Sequence, residues 1–342
     1  MKLLIFTDNH FCKTASILRK FGSKYTTRLE NQILSLNWLE KLAVERNCQA
    51  VICGGDFFDK SNLQDIELTA LRDIEWNSLP HYFVVGNHES SENGLVMNSA
   101  KALEDVNRFI ISEPTTWKFG NDTEDICFLP YVVESDRKPV VEYFGPNPGK
   151  RIIFSHNDIS GLNFGGLISK TGFGVQDLES NADLIINGHL HNHYKITSKL
   201  MNLGNLTGKD FGEDAAKYPH YVMLLDTDTL AYELIENPLA LNFYKLEINT
   251  AADLKVLTTL KNNAVVSIKC RDTFLKELRD LLLTNTNIID SRVIITKDLS
   301  SLSSEADMTE FSTDHITKFI ECAREKYGND VILEMELLEV CK

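Results

Sequence analysis

Residues 2–10 read Lys2-Leu3-Leu4-Ile5-Phe6-Thr7-Asp8-Asn9-His10, an apolar run that ends in side chains able to bind metal ions. The apolar part predicts a buried β-strand, and the polar end predicts a loop at the carboxyl end of that strand. Four later segments repeat this pattern: Gly54-Gly55-Asp56-Phe57-Phe58-Asp59, Gly86-Asn87-His88-Glu89, Ser155-His156 and Gly188-His189-Leu190-His191. Together the five segments contain five of the chain's nine histidines. That concentration indicates one shared site, although each segment taken singly could be an ordinary turn or a structural histidine.

Strands and helices alternate in the first part of the chain. Helix-like apolar spacing covers Arg28–Arg46 and Leu63–Trp76, and strands are predicted at Gln49–Cys53 and His81–Val85. Beyond Asn107 the sequence predicts short strands and a late hairpin. The expected fold class is therefore α/β, with a sandwich of two sheets flanked by helices.

The chain is expected to contain three parts. Residues 1–237 form the sandwich domain, and residues 238–297 form a small α+β unit with the order β-α-β-α-β. Residues 298–342 begin with a Ser-rich linker and continue into two helices, of which Thr313–Tyr327 has the clearer apolar stripe.

Composition indicates an ordinary globular protein. The 342 residues are 43% hydrophobic, and no apolar run approaches the roughly 20 residues that a membrane helix needs. The N-terminal run lacks a cleavage site and is interpreted as a strand, not as a signal peptide. Seven scattered cysteines without paired spacing favour free thiols and a cytoplasmic location: Cys12, Cys48, Cys53, Cys127, Cys270, Cys322 and Cys341.

The residue types in the five segments suit a pair of divalent cations. Carboxylates and imidazoles together select Mn, Fe, Zn or Mg ions, and the two oxygens of Asp56 allow it to bridge two of them. Asp8 and His10, like His189 and His191, are spaced so that both side chains point to one side of an extended segment. Two ions roughly 3.5–4 Å apart can clamp a phosphoryl group and activate a water molecule.

This series of motifs resembles the calcineurin-like metallophosphoesterases, whose pattern is D-x-H, G-D-x-x-D, G-N-H-[DE], G-H and G-H-x-H. Within that superfamily the chain is similar to the SbcD nucleases, including phage recombination nuclease subunits. The motifs span residues 8–191, and the unit after Pro238 resembles the capping domain of those nucleases. Ser155 departs from the family, which usually has glycine before the histidine of that motif.

The resemblance implies a role for each site residue. One ion is expected on Asp8, His10 and His191, with Asp56 bridging to a second ion on Asn87, His156 and His189. His88 is expected to face the phosphate as an acid or charge stabiliser and not to bind metal. The expected cofactor is a pair of Mn²⁺ ions, with Mg²⁺, Fe²⁺ or Zn²⁺ as alternatives.

Three sequence features favour DNA as the substrate. The loop after His10 contains five basic residues and no acid before Glu30: Lys13, Arg19, Lys20, Lys24 and Arg28. The extra unit after Pro238 would be unnecessary in a minimal phosphatase. The tail from Glu305 onward is acidic with an apolar stripe, which suits docking on a protein partner better than DNA. The alternative for the basic loop is that it is merely solvated and does not contact DNA. The alternative for the tail is that it packs on its own domain. A net charge of −14 taken alone argues against nucleic acid.

The sequence thus predicts a metal-dependent DNA nuclease of an SbcCD-type repair and recombination complex. It would act as an exonuclease on duplex DNA, with endonuclease action on single strands as a second option. The resemblance to SbcD nucleases further implies an SbcC-like ATPase as partner, bound by the C-terminal helices within a heterotetramer. It also implies a homodimer built from helices near Leu63–Trp76 and Val96–Asn107. A phosphoprotein phosphatase, a cyclic-nucleotide phosphodiesterase and a weakly catalytic ATPase scaffold remain as alternatives.

Overall fold

The computed structural model describes residues 1–13, 24–91, 94–118, 124–164, 167–213 and 215–296. In chain order the strands are β1 (Lys2–Phe6), β2 (Ala50–Cys53), β3 (His81–Val84), β4 (Ser90–Ser91), β5 (Gly94–Asn98), β6 (Arg108–Ile111), β7 (Thr115–Lys118), β8 (Glu124–Leu129), β9 (Lys150–Ser155), β10 (Ile159–Ser160), β11 (Asn163–Phe164), β12 (Leu167–Ile168), β13 (Phe173–Gly174), β14 (Leu184–Asn187), β15 (Tyr194–Lys195), β16 (Leu200–Asn202), β17 (Tyr221–Asp226), β18 (Tyr232–Glu236), β19 (Asn242–Ile248), β20 (Ala264–Arg271) and β21 (Ile288–Thr296). The α-helices are α1 (Thr27–Glu45), α2 (Asp65–Ala70), α3 (Val140–Phe144), α4 (Val175–Asn181) and α5 (Leu275–Thr284). Short 3-10 helices cover Leu71–Asp73, Ser99–Leu103, Glu134–Asp136, Asp253–Thr259 and Asp272–Phe274.

Two six-stranded sheets form the sandwich that the sequence predicted. The first has the order β18-β17-β1-β2-β3-β6, and the second has the order β15-β16-β14-β9-β8-β7. Strands β1, β2, β3 and β6 are parallel, as are β8, β9, β14 and β16. The predicted hairpin is the antiparallel pair β17 and β18. Parallel strands end at the same edge of their sheet, so their loops are gathered there.

The alternation of side chains along β1 builds two cores. Leu3 and Ile5 face the second sheet and join the core between the sheets. Leu4 and Phe6 point the other way and pack with residues of helix α1, including Leu36. Because successive strand residues point to opposite faces, one apolar strand can serve both layers. Helix α1 begins after Thr26, whose side chain accepts the N–H of Leu29.

Two predicted helices differ in the structure. Leu63–Trp76 contains only α2 and a 3-10 turn that ends at Asp73, and beyond it the N–H of Glu75 donates to the Asn37 side chain at 2.8 Å. Val96–Asn107 is not an α-helix: β5 pairs with β4 there, and a 3-10 helix follows. The helix that the family resemblance implied near Val96–Asn107 is therefore replaced by a strand and a short 3-10 helix.

A third sheet follows the sandwich and consists of β19, β20 and β21, which are all parallel. The predicted order of strands and connections is present, but the first connection is the 3-10 helix Asp253–Thr259 instead of an α-helix. The unit has its own apolar cluster, which includes Ile248, Val266 and Leu278. Hydrogen bonds from Asn31 to Leu239 O and from Gly208 to Leu241 O join it to the sandwich.

Several predictions fall outside the described residues, namely Arg19, Lys20, Cys322, Cys341, the linker and both C-terminal helices. The division of the chain at residues 237 and 297 stays a prediction. No helix within the described ranges has the length and apolarity to cross a membrane.

Candidate metal centre

The site lies where strand ends of both sheets meet. Asp8 and His10 follow β1, Asp56 follows β2 and Asn87 follows β3 in the first sheet. The second sheet contributes the residues after β9 and β14, which are His156, His189 and His191. The backbone N–H of His189 donates to both oxygens of Asp8, at 3.0 and 3.1 Å, and so ties the two edges together.

Three groups of ligand atoms lie close together among the described residues, each within 4.8 Å: Asp8, His10 and His191; Asp56, His156 and His189; and His10, Asp56 and His88. The first two groups correspond to the two expected ion sites. Asp56 Oδ2 lies 3.2 Å from His156 Nε2 and 3.8 Å from His10 Nε2. One carboxylate oxygen therefore lies between the groups, as a bridging ligand would.

The Nε2 atoms of His10 and His156 are buried and face the interior of the site. Within the described residues, Nε2 of His10 has no hydrogen-bond partner, whereas Nε2 of His156 has only the Asp56 carboxylate, 3.2 Å away. Their Nδ1 atoms lie 3.2 Å from Asp59 Oδ1 and 2.9 Å from Gly54 O, which fixes the outer N–H. A buried imidazole nitrogen without a partner is costly, and a bound cation would satisfy it. The residues present therefore fit a pair of divalent ions.

Asn87 completes the second group. Its Oδ1 atom lies 2.9 Å from His189 Nδ1, while His189 Nε2 lies 2.9 Å from Asp158 Oδ1. With the Nε2 proton donated to Asp158, Nδ1 presents a lone pair toward the oxygen of Asn87. Two acceptors at this distance repel each other unless a cation or proton lies between them.

Backbone strain is concentrated at the site. Four of the seven predicted ligands have positive φ: 50° at Asp8, 47° at His10, 49° at Asp56 and 78° at His189. Such conformations cost about 1–3 kcal/mol each in residues other than glycine and cluster at functional sites. Gly55, with φ of 110°, also leaves no room for a Cβ atom beside the His156 ring.

Burial and charge set the protonation of the metal-free site. Burial raises the pKa of Asp8. Burial would also raise the pKa of Asp56, but His156 outweighs it and the pKa of Asp56 falls well below its usual range. Burial opposes protonation of His156, yet the Asp56 carboxylate raises the pKa of His156 to about 10. Burial lowers the pKa of His10 to about 3, so this ring is neutral.

His88 stands apart from the buried ligands. Its side chain is 35% exposed, whereas that of His10 is fully buried. Its Nδ1 atom lies 2.9 Å from Asp59 O, and its backbone N–H donates to Asp56 Oδ1 at 3.0 Å. The ring is thus held beside the bridging carboxylate with Nε2 facing the site at 3.9 Å from Asp56 Oδ2. This position suits an acid that reaches a bound phosphate.

The predicted basic loop is only partly described. Arg28 is buried and donates to Gly208 O at 2.6 Å and to His10 O at 3.4 Å. It supports the site from within and is unavailable to DNA, so its assignment as a DNA contact is wrong. Lys24 is exposed and forms an ion pair with Asp73 at 2.7 Å. Lys13 is half-buried, and its backbone N–H donates to Glu67.

Sequence reasoning missed the supports behind the ligands. Glu213 Oε1 lies 3.3 Å from His191 Nδ1, and Lys209 Nζ lies 2.7 Å from Asp59 Oδ1 and 3.4 Å from His10 Nδ1. Glu213 and Lys209 belong to a loop without a recognisable motif, so the local sequence does not indicate a role at the site. Asp158 could have been suspected, since it lies only two residues beyond His156.

Comparison with known proteins identifies the family. Residues 1–193 match the family model of calcineurin-like phosphoesterases. The match covers more than half of the chain, which therefore belongs to this family. A search of curated proteins finds no match.

Solved structures give weaker likenesses. TT1561 of Thermus thermophilus has 12% identity and a TM-score of 0.40, covering 69% of this chain and 98% of its own. A dimetal phosphatase from Danio rerio has 12% identity, a TM-score of 0.37 and the same coverage. The purple acid phosphatase PPD1 from yellow lupin (Lupinus luteus) has 13% identity and a TM-score of 0.37, covering 69% of this chain and 52% of its own. Sequence identities and TM-scores this low support no inference about function. The family and the clustered ligands define a metallophosphoesterase-type hydrolase with a site for two metal ions.

Proposed function

We propose that this chain is a Mn²⁺-dependent DNA nuclease and the nuclease subunit of an SbcCD-type complex. The observation that carries the proposal is the acid-free basic stretch, which begins three residues after the ligand His10. In a chain with a net charge of −14, residues 11–29 contain no Asp or Glu. Lysines at the described ends of this stretch, Lys13 and Lys24, would contact the phosphate backbone of a DNA strand near the metal centre.

The residues of the centre divide the work of phosphodiester hydrolysis. When bound, two ions would activate a water molecule and stabilise charge on the phosphate. Asp8, His10 and His191 would hold one of them, and Asn87, His156 and His189 the other. Asp56 would keep the two at a fixed separation. His88 would donate a proton to the leaving 3′ oxygen, a role supported by its partly exposed ring.

The remaining parts of the chain would bind DNA, the ATPase subunit and a second copy of the chain. We propose that the third sheet acts as a DNA-capping unit and that residues 313–342 bind an SbcC-like ATPase. The homodimer would use the surface around α2, where Leu68 is 43% exposed while Leu71 is 8% exposed and packs inward. Met97 on β5 is 59% exposed and would also contribute to the homodimer contact.

One parallel assay separates the candidate functions. Purified protein with Mn²⁺ is offered linear duplex DNA, circular single-stranded DNA and a phosphopeptide, with Asp56→Asn as the metal-site control. The proposal predicts DNA cleavage that Asp56→Asn abolishes, and no release of phosphate from the peptide. Dephosphorylation without DNA cleavage would favour a phosphatase. Inertness toward all three substrates would favour a scaffold.

A further inference from the structure

Both histidines of the Gly188–His191 segment are held from behind by a carboxylate. Glu213 lies 3.3 Å from His191 Nδ1, and its side chain is only 6% exposed. Its oxygens also accept from Asn205 Nδ2 at 2.8 Å and from the backbone N–H of Lys209 at 3.1 Å. Contacts with His191, Asn205 and Lys209 therefore fix the orientation of this carboxylate. It can hold only one edge of the His191 ring, and the other nitrogen is left for the metal centre.

Asp158 makes the equivalent contact with His189. Its Oδ1 atom lies 2.9 Å from His189 Nε2, and its Oδ2 atom accepts from Arg137 at 3.0 Å. Arg137 is itself fixed by a hydrogen bond to Val132 O and by an ion pair with Glu134. The Arg137 guanidinium therefore holds the half-buried Asp158 side chain in place with its other oxygen directed at the His189 ring.

The two carboxylates serve different ions. His191 belongs to the group with Asp8 and His10, whereas His189 belongs to the group with Asp56 and His156. Glu213 and Asp158 approach from separate loops and share no hydrogen-bond partner within the part of the chain that the structure describes. A change at one carboxylate is therefore expected to leave the other histidine in place.

We propose that Glu213 and Asp158 are positioning residues that set the affinities of the two ion sites separately. Glu213 fixes the tautomer and ring orientation of His191, and Asp158 does the same for His189. A carboxylate behind a metal-binding histidine also makes the ring a stronger ligand, and losing it weakens metal binding by roughly 10- to 100-fold. The inference rests on the two-metal site and not on DNA as the substrate.

Calorimetric titration with Mn²⁺ alone tests this, using the full chain and no nucleic acid. His191→Ala and His189→Ala first assign the two binding steps to the two sites. Glu213→Gln is expected to weaken the step that His191→Ala removes, by roughly 10- to 100-fold, and to leave the other unchanged. Asp158→Asn is expected to weaken the step that His189→Ala removes, by a similar factor.

Two control variants separate positioning from folding. Asp210→Asn changes a carboxylate in the same loop as Glu213, where its side chain accepts the N–H of Gly212. Asp177→Asn changes an acid that accepts from Val140 and lies away from the histidines. Both controls should bind Mn²⁺ like the wild type. Melting without metal should match between test and control variants, while the Mn²⁺-induced rise in melting temperature should shrink in the test variants alone.

The titration distinguishes failure of the positioning roles from failure of the metal site itself. Wild-type protein that binds two Mn²⁺ ions, together with Glu213→Gln and Asp158→Asn variants that bind them equally well, would overturn the positioning roles alone. Weakening of both steps by either variant would overturn the separate assignment. Wild-type protein that binds no Mn²⁺ would overturn the metal site itself. If Glu213→Gln does not fold, Asp158→Asn, at a half-buried position, decides the question.

Discussion

Asp56 Oδ2 lies 3.2 Å from His156 Nε2, and these two residues follow strands of different sheets. Asp56 comes after β2 and His156 after β9, so the contact exists only when the two sheets are packed together. The metal centre is thus a property of the sandwich and not of either sheet. Any change that loosens the packing between the sheets should weaken metal binding before it unfolds either layer.

His88→Ala should keep both metal ions and lose most catalysis. The side chain is outside the two predicted ligand sets, and loss of a general acid typically reduces the rate by about 10²–10⁴-fold. The measurement is kcat for Mn²⁺-dependent cleavage of short DNA, with bound manganese determined on the same samples. Normal cleavage by this variant would refute the assigned role, and loss of manganese would make His88 a ligand.

Arg19 and Lys20 should contribute to DNA binding through charge. Replacing both with glutamine should weaken binding and reduce the slope of log K against log salt by roughly 1.8, at about 0.9 per phosphate contact. Fluorescence anisotropy with labelled duplex DNA at several salt concentrations gives this slope. An unchanged slope would remove the loop from the interface.

Arg28 provides a matched contrast because it is basic but buried. Arg28→Gln should leave the salt slope unchanged and lower the free energy of unfolding by about 1–3 kcal/mol, since Gly208 O and His10 O lose a charged donor. Urea unfolding measures the loss. A reduced salt slope with normal stability would restore Arg28 to the DNA surface.

Metal binding should release protons. In the metal-free site Asp56 raises the pKa of His156 to about 10, so this ring is protonated at neutral pH and must lose its proton to bind an ion. Because the metal-free state binds more protons, Mn²⁺ affinity should rise with pH up to about 10. Titration calorimetry at a fixed, mildly alkaline pH in buffers of different ionisation enthalpy counts the protons. A count of zero would contradict the protonated state of His156.

Deletion of residues 313–342 should abolish association with the ATPase partner and spare Mn²⁺-dependent cleavage of short DNA. The tail is acidic with an apolar stripe, which suits a protein groove. Co-purification and the cleavage assay test the two halves of this prediction. Partner binding that survives the deletion would place the docking surface elsewhere on the chain.

The ligand positions were predictable because their signal is local. An apolar strand followed by Asp or His marks each loop, and parallel pairing brings those loops to one edge. The sandwich and the hairpin followed from the same strand patterns. Asp8, Asp56 and His191 could therefore be chosen before their distances were known.

Other features depended on packing between distant segments. In the sequence Arg28 looks like part of a basic loop. In the structure it lies on helix α1 and donates a hydrogen bond to Gly208 O, 180 residues further along the chain. Glu213 contacts His191 from a loop whose conformation no local sequence pattern predicts. The helix expected near Val96–Asn107 came from the family resemblance, but the pairing of β4 with β5 decides the structure at the start of this segment.

The most direct test of the two-metal centre is the amount and coupling of manganese bound by the purified chain. Two Mn²⁺ ions per chain are expected, with the magnetic coupling of ions roughly 3.5–4 Å apart in electron paramagnetic resonance spectra. Asp56→Asn should abolish the coupling and lose at least one ion. A single uncoupled ion in the wild type, or a coupled pair that persists without the Asp56 carboxylate, would contradict the account.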